Sequence, residues 1–333
     1  MAYKPKTLLE AIVYYSDPET CHKLIVSVIW PHCKGEAACR HCGVVGARYM
    51  KTVQRYKCYS CRKQFSIKVG TILEDSKLPL TKWLPAFWLI VNAKNGISSC
   101  ELARALGNTQ KSAWFVLHRI RYVLTTEQYE MLRGIVEVDE SFLGGLEKFK
   151  HKNKKLHAGT GGVGKSVVLA FLQRGSGDVK RSKVVSKVIV GRNKETLQGH
   201  IKQIVEPGST IYTDAFKSYQ GLSEKYVHDF VDHALEYVKG KVSTNGIENF
   251  FCHLKRTMKG TYTKCEPFHL ARYIDEQSFR HNHCDLNDSQ RFAGVMNLIS
   301  GKRLRYRELT KAYVAYYDQV MPRSYEAAES RGH

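Results

Sequence analysis

Three acidic residues of this 333-residue chain have the types and spacing to do chemistry together. Asp139 lies in VEVDESF (136–142), Asp214 in IYTDAF (211–216) and Glu248 in NGIENFF (245–251). Each belongs to a different element, and carboxylates converging from separate elements can hold one or two Mg²⁺ ions. That cation takes octahedral oxygen ligands and keeps waters and substrate phosphates in its shell. Two such ions about 3.5–4 Å apart activate the attacking oxygen and stabilise the leaving one in phosphodiester chemistry. An isolated Asp in an apolar strand is costly to bury unless paired or metal-bound, which favours a site at Asp139. Its neighbours Glu137 and Glu140 are read as solvated. Two alternatives stay open: Asp214 as a loop cap before Phe216, and Glu248 as the glutamate of an Asn-x-x-Glu capping box headed by Asn245. Lys255 stands two helical turns beyond Glu248 and therefore on the same face. Ile247, Phe250, Phe251, Leu254 and Met258 form the apolar side of that helix. A carboxylate and an ammonium along one edge suit a metal ligand beside a phosphate contact.

A second chemistry is written in cysteine. CRHC (39–42) and CYSC (58–61) are separated by residues 43–57, a spacing that suits two facing turns around one tetrahedral Zn²⁺. The expected ligands are Cys39, Cys42, Cys58 and Cys61, with His32, Cys33 and His41 close enough to be rivals. A third motif, GTGGVGKS (159–166), matches the Walker A pattern. Phosphate binding needs a buried strand before it and a helix starting at its Lys-Ser. Here a Lys- and His-rich run (147–158) precedes the motif and the strand-like VVLAFLQR (167–174) follows it. The expectation is a flexible basic glycine-rich hairpin loop, with no ATP. RHNHC (280–284), with Cys252, His253, Cys265 and His269, invites a further metal site, but the spacings fit no ligand pattern and packing or surface roles are expected.

Lys+Arg 52 against Asp+Glu 31 gives a formal net charge of +21, spread along the chain. A surplus of that size favours a polyanionic partner, because each cation set against a phosphate releases counterions. No apolar run reaches bilayer length; WLPAFWLIV (83–91) is too short. The N-terminus lacks a signal-peptide layout, so the expected location is cytoplasmic and the ten cysteines are expected to be reduced thiols or metal ligands.

Residues 1–35 read as an N-terminal helical segment and 36–75 as a zinc ribbon of short strands. Residues 76–130 read as a helical DNA-binding region. In it Ala103, a turn at Gly107-Asn108 and a helix from Thr109 resemble a helix-turn-helix, with a helical hairpin packed on the core as the alternative. The second helix carries Gln110, Lys111, His118, Arg119 and Arg121. Residues 131–290 read as an α/β catalytic domain. Its expected strands lie at 134–145, 166–175, 182–191 and 209–222, with a helix at 193–208 between the last two and further helices at 244–260 and 266–280. Residues 291–333 are expected to form a C-terminal helical tail.

The run VEVDESFLGG, with IYTDAFKSY and STNGIENFFCHLKRTMKGTY, resembles the DDE transposases of bacterial insertion sequences, nearest the ISXO-like group with its N-terminal zinc ribbon. TILEDSKLPLTKW and GNTQKSAWFVLHRIR are similar to that group's segment between ribbon and catalytic domain, and the resemblance extends over about residues 20–285. It implies a ribonuclease-H-like fold, with Asp139, Asp214 and an acidic or amide third residue at Mg²⁺ or Mn²⁺. Glu248 with Lys255 matches the D-D-E-K form, and Asn245 and Asn249 remain rivals for the third place. It also implies binding of terminal inverted repeats through the ribbon and helical region. Metal-activated water would cut a strand and the exposed 3′-OH would attack target DNA, without ATP. Lys111, Arg119 and Arg121, and Lys152, Lys154 and Lys155 of the basic loop, are the expected DNA contacts. The implied partners are transposon ends, target DNA and further copies of the chain, as a dimer or larger assembly in the bacterial nucleoid. A non-catalytic zinc-ribbon DNA-binding protein, a P-loop NTPase and a resolvase-like nuclease of the same fold are the alternatives.

Overall fold

Capping chemistry starts the first helices. Thr7 and Asp17 accept backbone N–H groups of the turns that follow them, opening α1 (Leu8–Tyr14) and α2 (Pro18–Ile29). Pro18 stands at the first helical position, where its missing N–H would have had no partner anyway. The structure is a computed structural model that describes residues 5–33, 35–125, 130–144, 165–175, 181–214, 217–219, 221–222, 225–231, 243–263 and 265–310. These fall into two compact units, one from Met1–Thr125 with His283–Ala312 and the other built on Thr126–Asn282.

In the first unit, β1 (Ala37–Ala38), β2 (Val45–Met50), β3 (Arg55–Lys57) and β4 (Gln64–Phe65) pair in sequence order as an antiparallel sheet. Strands this short do not hold themselves together. Aromatic packing joins the sheet to the end of α2: Tyr56 stacks on Phe65 at 5.4 Å and meets Trp30 edge-on at 5.8 Å. Next come α3 (Leu80–Asn92), which buries Trp83, Phe87 and Trp88, then α4 (Ser99–Leu106) and α5 (Gln110–Leu124). Gly107 adopts the left-handed conformation at φ 59°, and the N–H of Asn108 bonds back to the Ala103 carbonyl at 2.9 Å. Thr109 then caps α5 through Ser112. The turn expected from the sequence is present.

The face of α5 is not as expected. Val116, Leu117, Ile120, Val123 and Leu124 are buried, and its solvent-exposed part is the first turn, Gln110–Ser112. Lys111 is exposed there, its ammonium 5.2 Å from the Tyr306 ring. Arg119 and Arg121, expected to touch DNA, are 3% and 1% exposed. The Arg119 guanidinium lies 4.6 Å from the Phe115 ring, and its Nε donates to the Leu304 carbonyl at 3.1 Å. Both arginines are therefore interior cations of this unit. Arg119→Ala should destabilise the unit by about 1–3 kcal/mol, because the Leu304 carbonyl loses its donor in a buried place. At a temperature where the variant is folded, DNA affinity measured by a gel-shift titration should stay within twofold of wild type.

The second unit is a five-stranded mixed sheet. β5 (Ile135–Leu143), β6 (Ser166–Gln173) and β7 (Lys183–Ile189) form an antiparallel meander. After α6 (Lys194–Ile204), β8 (Thr210–Asp214) pairs parallel to β5, and β9 (Val227–Val231) parallel to β8. The strand order is β7-β6-β5-β8-β9, a ribonuclease-H-like arrangement. β9 was not expected from the sequence. Strand alternation sorts β5 between two cores. Val136 and Val138 face α6 with Leu197, Ile201 and Ile204. On the other face Leu143 packs with α7 (Asn245–Thr257) and α8 (Leu270–Asn282) through Ile247, Phe250, Leu254 and Ile274.

The chain then returns to the first unit with α9 (Asp288–Met296), whose Phe292 ring lies 5.3 Å from Trp88 and from Tyr15. Gly301 N–H bonds to the Gly70 carbonyl at 2.9 Å, and the Lys302 ammonium bonds the Val123 carbonyl at 3.1 Å. The expected boundary near 290 and separate tail are thereby corrected. Described residues beyond 282 complete the N-terminal unit, and the expected continuation past 310 lies outside the described residues.

Candidate active site and metal centre

The ribbon brings its four thiols together from two tight turns. Cys39 N–H bonds the Val44 carbonyl at 2.8 Å and Cys58 N–H the Lys63 carbonyl at 3.0 Å, with Gly43 and Arg62 at φ 77° and 58° making the reversals. The sulfurs of Cys39, Cys42, Cys58 and Cys61 all lie within 4.8 Å of one another. The Cys39–Cys61 and Cys42–Cys58 pairs stand at 3.6 Å. A tetrahedral Zn²⁺ with bonds of about 2.3 Å requires sulfurs about 3.8 Å apart, so the donor set fits that ion. His41 packs its ring against Phe65 at 6.3 Å, and its N–H donates to the Cys39 sulfur at 3.3 Å. Neither it nor His32 or Cys33 belongs to the cluster.

In the second unit the parallel register of β5 and β8 sets Glu137 opposite Tyr212. Two residues further along each strand come Asp139 and Asp214, on one face of the sheet because strands alternate. That face is the one α7 covers, and α7 carries Glu248. Burial is the first cause that raises the Asp139 carboxyl, to about 7, and the negative charges of Glu140, Asp214 and Glu248 add to it. A backbone bond from the Glu140 N–H at 2.7 Å opposes the rise. An oxygen-rich set whose members repel one another fits a hard divalent cation such as Mg²⁺. Among the described residues, the group of three or more His, Cys, Asp or Glu donors gathered closely enough to hold an ion as they stand is the cysteine quartet.

Glu248 is exposed, and its Oε1 accepts from the Thr244 hydroxyl at 2.9 Å. The capping-box alternative does not hold: Asn245 is the first helical residue and Thr244 precedes it. Asn245, Asn249 and Lys255 are exposed on the same helix.

Glu137 and Glu140, read from the sequence as solvated, are enclosed. Glu137 is 2% exposed; its Oε1 pairs with Arg174 Nε at 2.7 Å and its Oε2 accepts the Ile247 N–H at 2.8 Å. Glu140, on the other face of β5, accepts the Tyr219 hydroxyl and lies 3.8 Å from Arg192. Partners so distant in the chain leave no local signal.

Ser166 starts β6, so a strand and not a helix follows Lys165, against nucleotide binding at the Walker-like motif. Residues 159–164 of the motif and Lys152, Lys154 and Lys155 lie outside the described residues. The histidines and cysteines near α8 do not gather: His281 bonds Ser182 at 3.1 Å, and the Cys265 thiol bonds the Glu266 carbonyl at 3.4 Å. Among the described residues no helix is long and apolar enough to cross a membrane.

Two family models match this chain in tandem. A transposase zinc-ribbon domain matches residues 16–64 and an ISXO2-like transposase domain residues 131–282, together more than half of the chain. The chain is 25% identical over 237 residues to an uncharacterized protein in transposable element ISH50 of Halobacterium salinarum, covering 68% of this chain and 78% of that protein. It is 29% identical over 107 residues to an uncharacterized transposase-like protein of Haemophilus influenzae, covering 32% of this chain and 86% of that one.

Proposed function

Because the chain belongs to the ISXO2-like transposases, with their zinc ribbon at its N-terminal side, we propose that it cuts the ends of an insertion sequence and joins them to target DNA with a divalent metal. The observation that carries this reading is the alignment of Asp139 and Asp214 on adjacent parallel strands, under a helix whose Glu248 charge acts on the Asp139 carboxyl. Asp139, Asp214 and Glu248 would hold Mg²⁺ or Mn²⁺. What such ions supply, when bound, is charge stabilisation at the attacking and leaving oxygens of a phosphodiester. Lys255 would steady a substrate phosphate along the same helix edge. Hydrolysis at the element's end leaves a 3′-OH, and attack of that hydroxyl on a second duplex exchanges one phosphodiester for another, so no ATP is needed.

End recognition falls to the ribbon and to the exposed first turn of α5 with Lys111, and Lys152, Lys154 and Lys155 add DNA contacts from the basic loop. The net charge of +21 supports a polyanionic substrate. Joining two ends calls for a dimer or larger assembly on DNA.

The third metal ligand is the member most open to test. Glu248→Gln should lower Mg²⁺-dependent cleavage of a labelled end by about 10³-fold or more, as when one member of a catalytic unit is removed. Asn245→Asp and Asn249→Asp in that background should not restore it. Full cleavage by Glu248→Gln, or rescue by either Asp, reassigns the third ligand.

A further inference from the structure

Glu137 has no part in holding metal in the reading above, yet it is the most enclosed acid on the face of β5 that α7 covers. It precedes Asp139 by two residues, so the two side chains share that face. One carboxylate oxygen receives Arg174 Nε at 2.7 Å and the other receives the Ile247 N–H, in the first turn of α7, at 2.8 Å. Arg174 also reaches over the start of that helix, with its Nη2 2.6 Å from the Ser243 carbonyl and 2.7 Å from the Ser243 hydroxyl. Next comes Thr244, whose hydroxyl donates to Glu248 at 2.9 Å. The fit between strand and helix is close. A Cβ added to Gly246 would stand 2.9 Å and 3.0 Å from the two Glu137 oxygens. The carboxylate has little freedom to yield, because both of its oxygens are already bonded.

From this geometry we infer that Glu137 is a positioning residue: with Arg174 and Gly246 it fixes the first turn of α7 against β5 and so sets Glu248 beside Asp139. This rests on the reading of Asp139, Asp214 and Glu248 as one metal-holding set. The two-residue step along β5 then has a function. One strand supplies a metal ligand and, one position earlier on the same face, the anchor for the helix that supplies another. A negative group at the start of a helix also meets the unpaired N–H groups there, which favours this placement.

The test replaces Mg²⁺ by Fe²⁺ in the full-length protein and generates hydroxyl radicals with ascorbate and peroxide, which cut the backbone near bound iron. Fragments are mapped by mass spectrometry, and melting temperature is measured in parallel. Wild type should be cut near residues 139, 214 and 248. Gly246→Ala sets a Cβ against the two Glu137 oxygens, so the first turn of α7 must shift; its melting temperature should fall modestly while the protein stays folded. Its cuts near 139 and 214 should persist, while the cut near 248 falls at least fivefold. Glu137→Gln keeps an acceptor for Ile247 but turns an amide N–H₂ toward Arg174, and should give the same pattern. Unchanged cutting near 248 in both variants overturns the positioning role. Uniform loss of all three cuts with a lowered melting temperature also overturns it, since Glu137 would then support the fold as a whole. A wild type without cuts near 139 and 214 refutes the metal set itself, a result separate from either.

Discussion

Asp139→Asn is expected to cut hydrolysis of a labelled DNA end by about 10⁴-fold or more, the scale on which loss of one essential member disables a catalytic unit. The amide keeps the shape of the side chain and can still accept the Glu140 N–H, but it carries no charge with which to hold a divalent cation. End affinity should remain within a few-fold of wild type, because the ribbon, α5 and the basic loop are untouched. The metal-free variant should melt no lower than the metal-free wild type. A carboxyl raised in the folded state to about 7, from an unfolded value near 4, binds its proton more tightly when folded. It therefore costs stability as pH rises from the unfolded value through the folded one, and an uncharged Asn removes that cost above pH 7. A variant that is inactive because it is unfolded would lose end binding and show a lowered melting temperature instead.

Cys58→Ser carries the other large effect. Metal analysis of the purified protein should find about one Zn²⁺ per chain, and the variant should retain almost none, because three thiolates and a hydroxyl no longer complete the tetrahedral sulfur set. Structural zinc contributes about 10–16 kcal/mol in small metal-dependent domains, far more than strands of two to six residues and one aromatic cluster can replace. The ribbon should unfold, and end affinity should fall by at least tenfold while the second unit keeps its strand signal in circular dichroism. A Cys58→Ser protein that is metal-free, fully folded and binds ends normally would remove the ribbon from DNA recognition.

What could be read from the sequence follows from where each signal resides. The zinc ligands lie in two short local patterns, and a turn of fixed geometry makes each pair predictable. That Asp139 and Asp214 lie in strands was legible, because strand periodicity is itself local. Glu137 and Glu140 show the limit. Their partners Arg174, Ile247 and Tyr219 lie 37, 110 and 79 positions away, and nothing near residue 137 announces them. Arg119 misled for the same reason. On a helix otherwise rich in apolar residues it resembles a surface cation, yet its acceptor is the Leu304 carbonyl 185 positions on. That long-range link also explains why residues 291–310 read as a tail when they complete the first unit. β9 was missed because its segment, VHDFV, carries His228 and Asp229 and lies at the sheet edge, where the pattern is weakly apolar.

Joining of a labelled candidate end to a supercoiled plasmid separates transposition from simple cleavage. Wild type should give covalently joined end–plasmid product in Mg²⁺ and none in EDTA, with no ATP added in either case. Asp139→Asn should give none in Mg²⁺, although it binds the end. Joined product from Asp139→Asn at the wild-type level, or from wild type in EDTA, would contradict metal-dependent strand transfer by these carboxylates. Wild type that cuts the end in Mg²⁺ yet never joins it would mark a nuclease of the same fold.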